Sequence, residues 1–316
     1  MKVIVIGSGI IGLSTAHTLL DEGCVVKIIS RDLPQQTTSW RAAAIWFPYQ
    51  AHPLDKVIRW SQYSFTKYLD YVDRADTGVS MVPLRVMESA SDVASWIDAL
   101  PGANFRNIPE IELPTGYGEG VEVDVPMIDT SLFLPFLLST FLIRGGEFEL
   151  GSVDGFTKMK SEADWVINCT GLASRELCKD TKLYPIRGQI VKVKPQKGLK
   201  YIAADHGPLA LSYIIPRKHE VVLGGTAQRN LENTAVDATE TRRIIERCMG
   251  LSPDLDPIIL QSEVGLRPGR SEIRLELEHS EQLIHNYGHG GSGFTVCWGC
   301  ASDILVLMGV QPKSPT

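Results

Sequence analysis

Apolar residues in this chain fall into two kinds of run. KVIVI (2–6) is short and β-branched, which predicts a strand buried on both faces. Ile10, Leu13, Ala16, Leu19 and Leu20 then recur at helical spacing over 10–22 and stop at Gly23. VVKIIS (25–30) predicts a second strand, completing a βαβ unit of about thirty residues. Helical patterns follow near 54–74, 91–99, 130–144 and 237–249. An apolar strand within 161–171 ends in a small-residue turn, and 186–194, 211–216 and 219–226 read as strands of an antiparallel sheet. EVGLRPGRSEIRL (263–275) follows, and LIHNYGHGGSGFTVCWGCA (283–301) sets Gly288, Gly290, Gly291 and Gly293 ahead of an apolar run. That places a glycine loop before a helix beginning near Phe294.

Both glycine loops suggest close approach of a ligand to the backbone. In Gly7-Ser8-Gly9-Ile10-Ile11-Gly12, Gly7 allows the tight turn, Gly9 lets the backbone reach a pyrophosphate, and Gly12 lets helix and strand pack. The second loop offers free N–H groups and a positive dipole end to an anion or an electron-rich heterocycle. In a NAD-type unit an acidic residue follows the second strand. Here Ser30 stands nearest that place, so either Asp32 takes the ribose or Arg31 contributes a phosphate or ribose contact. The missing acid disfavours NAD and suits FAD. These signals lie at the start, middle and end of the chain. The fold expected is α/β: a discontinuous Rossmann-like FAD-binding domain (1–52, 122–180, 264–316) and a second, mostly antiparallel-sheet substrate domain (53–121, 181–263).

Composition narrows the partners. The 316 residues carry a net charge of -6, which argues against nucleic acid or an anionic membrane. No apolar run approaches the ~20 residues of a membrane span. Six cysteines lack the spacing of a disulfide framework, MKVIVIG enters its strand without a signal-peptide pattern, and PKSPT is no peroxisomal address. A cytoplasmic setting is expected, and a homodimer is left open.

The spacing H-N-Y-G-x-G-G-x-G-x5-G-x-A at 285–301 resembles the C-terminal motif of the D-amino-acid oxidase family. TTSWRAAAIWFP (37–48) resembles that family's T-T-x-x-x-A-A-G-x-W-x-P segment, with Ala44 in place of its glycine and Phe47 where mammalian relatives carry glutamine. Asn168-Cys169-Thr170-Gly171, Arg187-Gly188-Gln189, Tyr213-Ile214-Ile215-Pro216 and Gly265-Leu266-Arg267-Pro268 fall in the family's order. The resemblance implies FAD held by Gly7, Ser8, Gly9, Ile10, Ile11, Gly12, Arg31 and Asp32. It adds Thr37, Thr38, Ser39, Ala44, Ile45 and Trp46, then Val153, Thr170 and Gly171. Gly290, Gly291, Ser292, Gly293, Phe294 and Thr295 complete the set.

It further implies that Arg267 clamps a substrate carboxylate, with Tyr213 hydrogen-bonding the same group and the Gly291 carbonyl near the amine. A planar guanidinium suits a bidentate grip on a carboxylate in a dry pocket. The activity implied is oxidative deamination of D-amino acids by hydride transfer from Cα to flavin N5. It consumes oxygen and yields a 2-oxo acid, ammonia and hydrogen peroxide. Leu209, where relatives place a lid tyrosine, and Phe47 suggest neutral side chains. The direction of Arg217 stays open. Arg187 and Gln189 are expected to link the domains. Cys297, Cys300, His285 and His289 are expected to pack rather than bind metal. The alternatives are a glycine- or sarcosine-type amine oxidase of the same cofactor fold and a non-enzymatic NAD(P)-binding Rossmann protein.

Overall fold

The computed structural model of the chain describes residues 1–47, 51–72, 74–87, 100, 105–278 and 282–311. The helical pattern at 91–99, Pro48 and the tail PKSPT lie outside the described residues. The chain begins with β1 (Lys2–Ile6), α1 (Ile10–Asp21) and β2 (Val25–Ser30), then α2 (Leu54–Val72), β3 (Val79–Val86), β4 (Phe105–Asn107) and β5 (Val121–Ile128). Next come α3 (Thr130–Ile143), β6 (Glu147–Leu150), β7 (Trp165–Asn168), β8 (Tyr184–Val193), β9 (Tyr201–Ala204), β10 (Ser212–Pro216), β11 (Val221–Gly224) and β12 (Gln228–Arg229). The last are α4 (Ala238–Leu251), β13 (Ile259–Gly269), β14 (Arg274–Glu278), β15 (Leu283–Tyr287) and α5 (Gly293–Leu307).

One sheet runs β14-β15-β7-β1-β2-β6, parallel except for the β14–β15 hairpin pair. β1 and β7 are apolar on both faces, with Val3, Ile4, Val5, Val166 and Ile167 fully buried, as parallel strands between helical layers require. The other sheet runs β12-β8-β11-β10-β9-β3-β5-β4, with β13 also on β8, and only β3–β9 is parallel. Helix starts follow the local chemistry. Asp129 Oδ1 accepts from Ser131 N at 3.0 Å to cap α3, and Asp237 Oδ1 accepts from Thr239 N and Glu240 N to cap α4. Gly299 of α5 lies against the Trp60 backbone of α2, where a Cβ would collide. That contact explains the glycine of CWGC.

Sheet membership departs from the expected division at two places. β5 (Val121–Ile128) pairs with β3 and β4, and the end of β13, 264–269, pairs along β8. Both stretches therefore belong to the nine-stranded sheet. The reason is hydrogen bonding: each strand's backbone is satisfied there.

Candidate functional site

A cavity of about 920 Å³ runs from the carboxyl ends of β1 and β2 to the face of the nine-stranded sheet. That is the upper end of the ~300–1,000 Å³ usual for ligand pockets, and the carboxyl ends of β1 and β7, where the strand order reverses, are where open α/β sheets bind ligands. At its mouth Gly7 adopts φ +111°, and a Cβ there would come within 2.5 Å of the Cys169 carbonyl. A Cβ on Gly12 would strike the Gly7 carbonyl, so α1 packs directly on the turn. The Ile10 N–H donates to Ser39 Oγ at 3.0 Å, while the next N–H groups of α1 lie in its first turn and have no intrahelical partner. Arg31 lines the cavity, and its guanidinium grips Asp32 Oδ2 at 2.7 Å. Asp32 itself is not a lining residue. Its carbonyl accepts from the Ser8 and Ser30 hydroxyls, which fixes the end of β2 to the first turn.

The cavity is also walled by two stretches, Ala42–Ile45 and Gly290, Gly291, Gly293 with Phe294. Ala44 holds φ +50°, the left-handed region that glycine occupies more easily. The two walls are stitched together: Thr295 Oγ1 donates to the Phe47 carbonyl at 2.8 Å and accepts from the Phe47 N–H at 3.2 Å. Arg217 anchors the first wall from behind. Its buried guanidinium donates to the Ala42 and Ala43 carbonyls at 2.8 and 2.7 Å and pairs with Glu220 at 3.3 Å. Its direction is thus settled, away from the cavity.

Beyond that wall lie Arg267, Tyr213, Leu211, Gly225, Thr226, Ala203 and Asp205. Arg267 Nη1 donates to the Thr226 carbonyl at 2.9 Å, and the guanidinium lies flat over Gly188, where a Cβ would sit 2.6 Å from Cζ. Among the described residues no carboxylate pairs with Arg267. Burial pushes the Tyr213 phenol up, opposed by the adjacent Arg267. The Tyr213 ring fills the space a side chain on Gly224 would need. His289, also on the wall, is held at about 3 by burial and sits 3.1 Å from Asn286 Oδ1, so it is neutral at pH 7.

The family model for DAO, described as FAD dependent oxidoreductase, matches residues 2–305. This chain belongs to that family. The D-amino-acid oxidase of Rubrobacter xylanophilus is 38% identical over 315 residues, covering 98% of this chain and 96% of the relative. The D-aspartate oxidase of Homo sapiens is 32% identical over 326 residues, covering 97% of this chain and 94% of the relative. Among solved structures, the glycine oxidase of Geobacillus kaustophilus superposes with a TM-score of 0.81 at 16% identity, covering 99% of this chain and 96% of that one, a likeness of fold. The DAO-family chain is thus an FAD-dependent oxidoreductase. Its glycine cradle, the small-residue wall and the α5 N-terminus fit that group.

Set against the sequence reading, the cavity gathers Gly7, Ser8, Gly9, Ile10, Ile11, Arg31, Thr37, Thr38, Ser39, Ala44, Ile45 and Val153 from the N-terminal half and the middle. It also gathers Thr170, Gly171, Tyr213, Arg267, Gly290, Gly291, Gly293 and Phe294. Gly12, Asp32, Trp46, Ser292 and Thr295 do not line it. Trp46 is fully buried, donating to the Ser61 carbonyl at 3.1 Å and meeting Phe65 edge-on, so its ring supports the wall from the core. Leu209 packs against Gly250 of α4, and Leu211, at φ +62°, takes the cavity side. Arg187 and Gln189 bind Asn233, Ala235, Asp237 and Thr241, tying β8 to the segment ahead of α4 rather than linking two domains. Sequence reasoning gave no individual role to Gly188, Thr226 or Arg247. Arg247 reaches from α4 to the Gly225 carbonyl at 2.7 Å and to Ser212 Oγ at 3.1 Å. The GGT at 224–226 was the available signal: adjacent glycines on a strand mark a close approach.

Proposed function

We propose that this enzyme oxidises D-amino acids with neutral side chains to 2-oxo acids, ammonia and hydrogen peroxide. The observation that carries it is Arg267, a half-buried guanidinium in the cavity, oriented by one carbonyl and facing no protein carboxylate among the described residues. Such a group is held ready for a carboxylate brought by a ligand. When bound, FAD supplies the acceptor for the Cα hydride and the site where oxygen is reduced. The chain supplies orientation. Arg267 and the Tyr213 hydroxyl grip the carboxylate, the Gly291 carbonyl takes the amine, and the Ala42–Ile45 wall excludes water from the face opposite. No side chain acts as general base, since the amine loses its proton before or on binding. Gly7 to Ile11 with Arg31 serve the pyrophosphate and ribose, and Val153 the adenine. The six cysteines are all unpaired, in keeping with a reducing, cytoplasmic compartment.

Side-chain preference follows from the lining. Phe47, Ile190, Ala203 and Leu211 are apolar. The lining also includes Asp205, just past the end of β9. Arg217, the other candidate for acidic substrates, is committed to Ala42 and Ala43. The human D-aspartate oxidase relative makes acidic substrates the reading to test against. A peroxide-coupled panel of D- and L-alanine, D-methionine, D-aspartate, glycine and sarcosine decides. Turnover greatest on the neutral D-isomers is expected. Activity confined to L-isomers, to D-aspartate or to sarcosine contradicts the proposal.

A further inference from the structure

A second basin, of about 650 Å³, lies by the chain just past the end of β13, the strand that carries Arg267. Lys182, Arg229 and Arg270 line it, with His52, Asn230 and Ser271 as polar neighbours, and no carboxylate is among its lining residues. In a chain of net charge -6 such a concentration of one sign is not the average surface. Lys182 and Arg229 are exposed and make no ion pair among the described residues. Arg229 is steadied by the Tyr184 ring, its Cζ 5.8 Å from the centroid. Arg270 is fixed more firmly. Nε donates to Asp180 Oδ2 at 3.1 Å, Nη1 to the Glu272 carbonyl at 2.8 Å, and its stem rests on Gly288. Asp180 is itself buried and held by the Tyr287 hydroxyl at 2.9 Å. Arg270 Nη2 has no hydrogen-bond partner among the described residues.

We propose that this basin binds a small phosphoryl dianion, free phosphate or the phosphate group of a small metabolite, between Arg270, Arg229 and Lys182. Two guanidiniums and an ammonium match a phosphate's charge and its acceptors, and the Asp180–Tyr287 support fixes one guanidinium before the ligand arrives. Asn230 and Ser271 offer neutral polar groups to an organic moiety. The site is separate from the cofactor cavity and does not depend on the substrate assigned to it.

The test uses the FAD-loaded enzyme, so that the pyrophosphate cradle is filled. Isothermal titration with inorganic phosphate and, separately, with glycerol 3-phosphate is run at constant ionic strength held by sodium chloride. Saturable binding of one anion per chain is expected. The double variant Lys182→Gln, Arg229→Gln weakens it at least about tenfold, the effect of losing about 1.4 kcal/mol, while flavin absorbance and melting midpoint stay unchanged. The stronger of the two probes identifies the source of the phosphoryl group. Heats no larger than those from chloride, or equal affinity in the double variant, overturn the proposal.

Discussion

Arg267 differs from Arg85, Arg274 and Arg217 in what faces it. Arg85 meets Glu112 and Glu122, Arg274 meets Glu276, and Arg217 meets Glu220 and two carbonyls. Arg267 has a single carbonyl and an open cavity. Tyr213 adds a neutral hydroxyl, kept protonated by burial. Tyr213→Phe should therefore remove one hydrogen bond to substrate, lowering kcat/KM for a neutral D-amino acid by about fivefold to tenfold. Steady-state peroxide release checks this, and an unchanged kcat/KM would take Tyr213 out of the site. Residue identity was legible here from the sequence because G-L-R-P and Y-I-I-P carry the family pattern. Side-chain direction was not. Arg217 lies just past the end of β10 and Leu209 just ahead of the positive φ of Leu211, and residue type does not set which way either side chain faces.

At the scale of elements, the site is made by glycines that let one strand's side chain lie on another. Gly188 of β8 is paired with Gly265 of β13, and the Arg267 guanidinium lies across it. Gly188→Ala should push that guanidinium aside and lower kcat/KM by roughly 10²-fold while FAD stays bound, since a displacement of about 1 Å is enough. Visible flavin absorbance and kinetics on one preparation read both quantities. Loss of FAD together with activity would show instead that β8 supports the cofactor. The β1–α1–β2 unit was legible because its periods and glycines agree. The placement of β5 and the end of β13 was not, because it depends on partners far away in sequence.

For the whole molecule, the two sheets share a core that runs from Val3 and Ile28 through Trp46 and Phe133 to Val125 and Ile215, so the cavity is a seam within one packed body. Within the described residues no helix is long and apolar enough to cross a membrane. Several buried histidines tune stability to pH. His289 is held at about 3 against an ordinary 6.5, and burial also lowers His17 and His285. Below about 6.5 the unfolded chain takes a proton that folded His289 refuses. Stability therefore falls as pH drops from about 6.5 toward about 3, by about 1.4 kcal/mol per pH unit for this group. Denaturant unfolding of wild type and His289→Gln at pH 4.5, 5.5 and 6.5 should show a slope shallower by about one proton in the variant. Equal slopes would mean that His289 titrates normally in the fold.

The most direct test is Arg267→Ala, purified with its flavin and assayed with oxygen on a neutral D-amino acid. Truncating one partner of a buried charge pair costs about 2–5 kcal/mol, so kcat/KM should fall from about thirtyfold to several thousandfold, chiefly through KM, with flavin content unchanged. A flavin-loaded Arg267→Ala enzyme with wild-type kcat/KM would contradict the account.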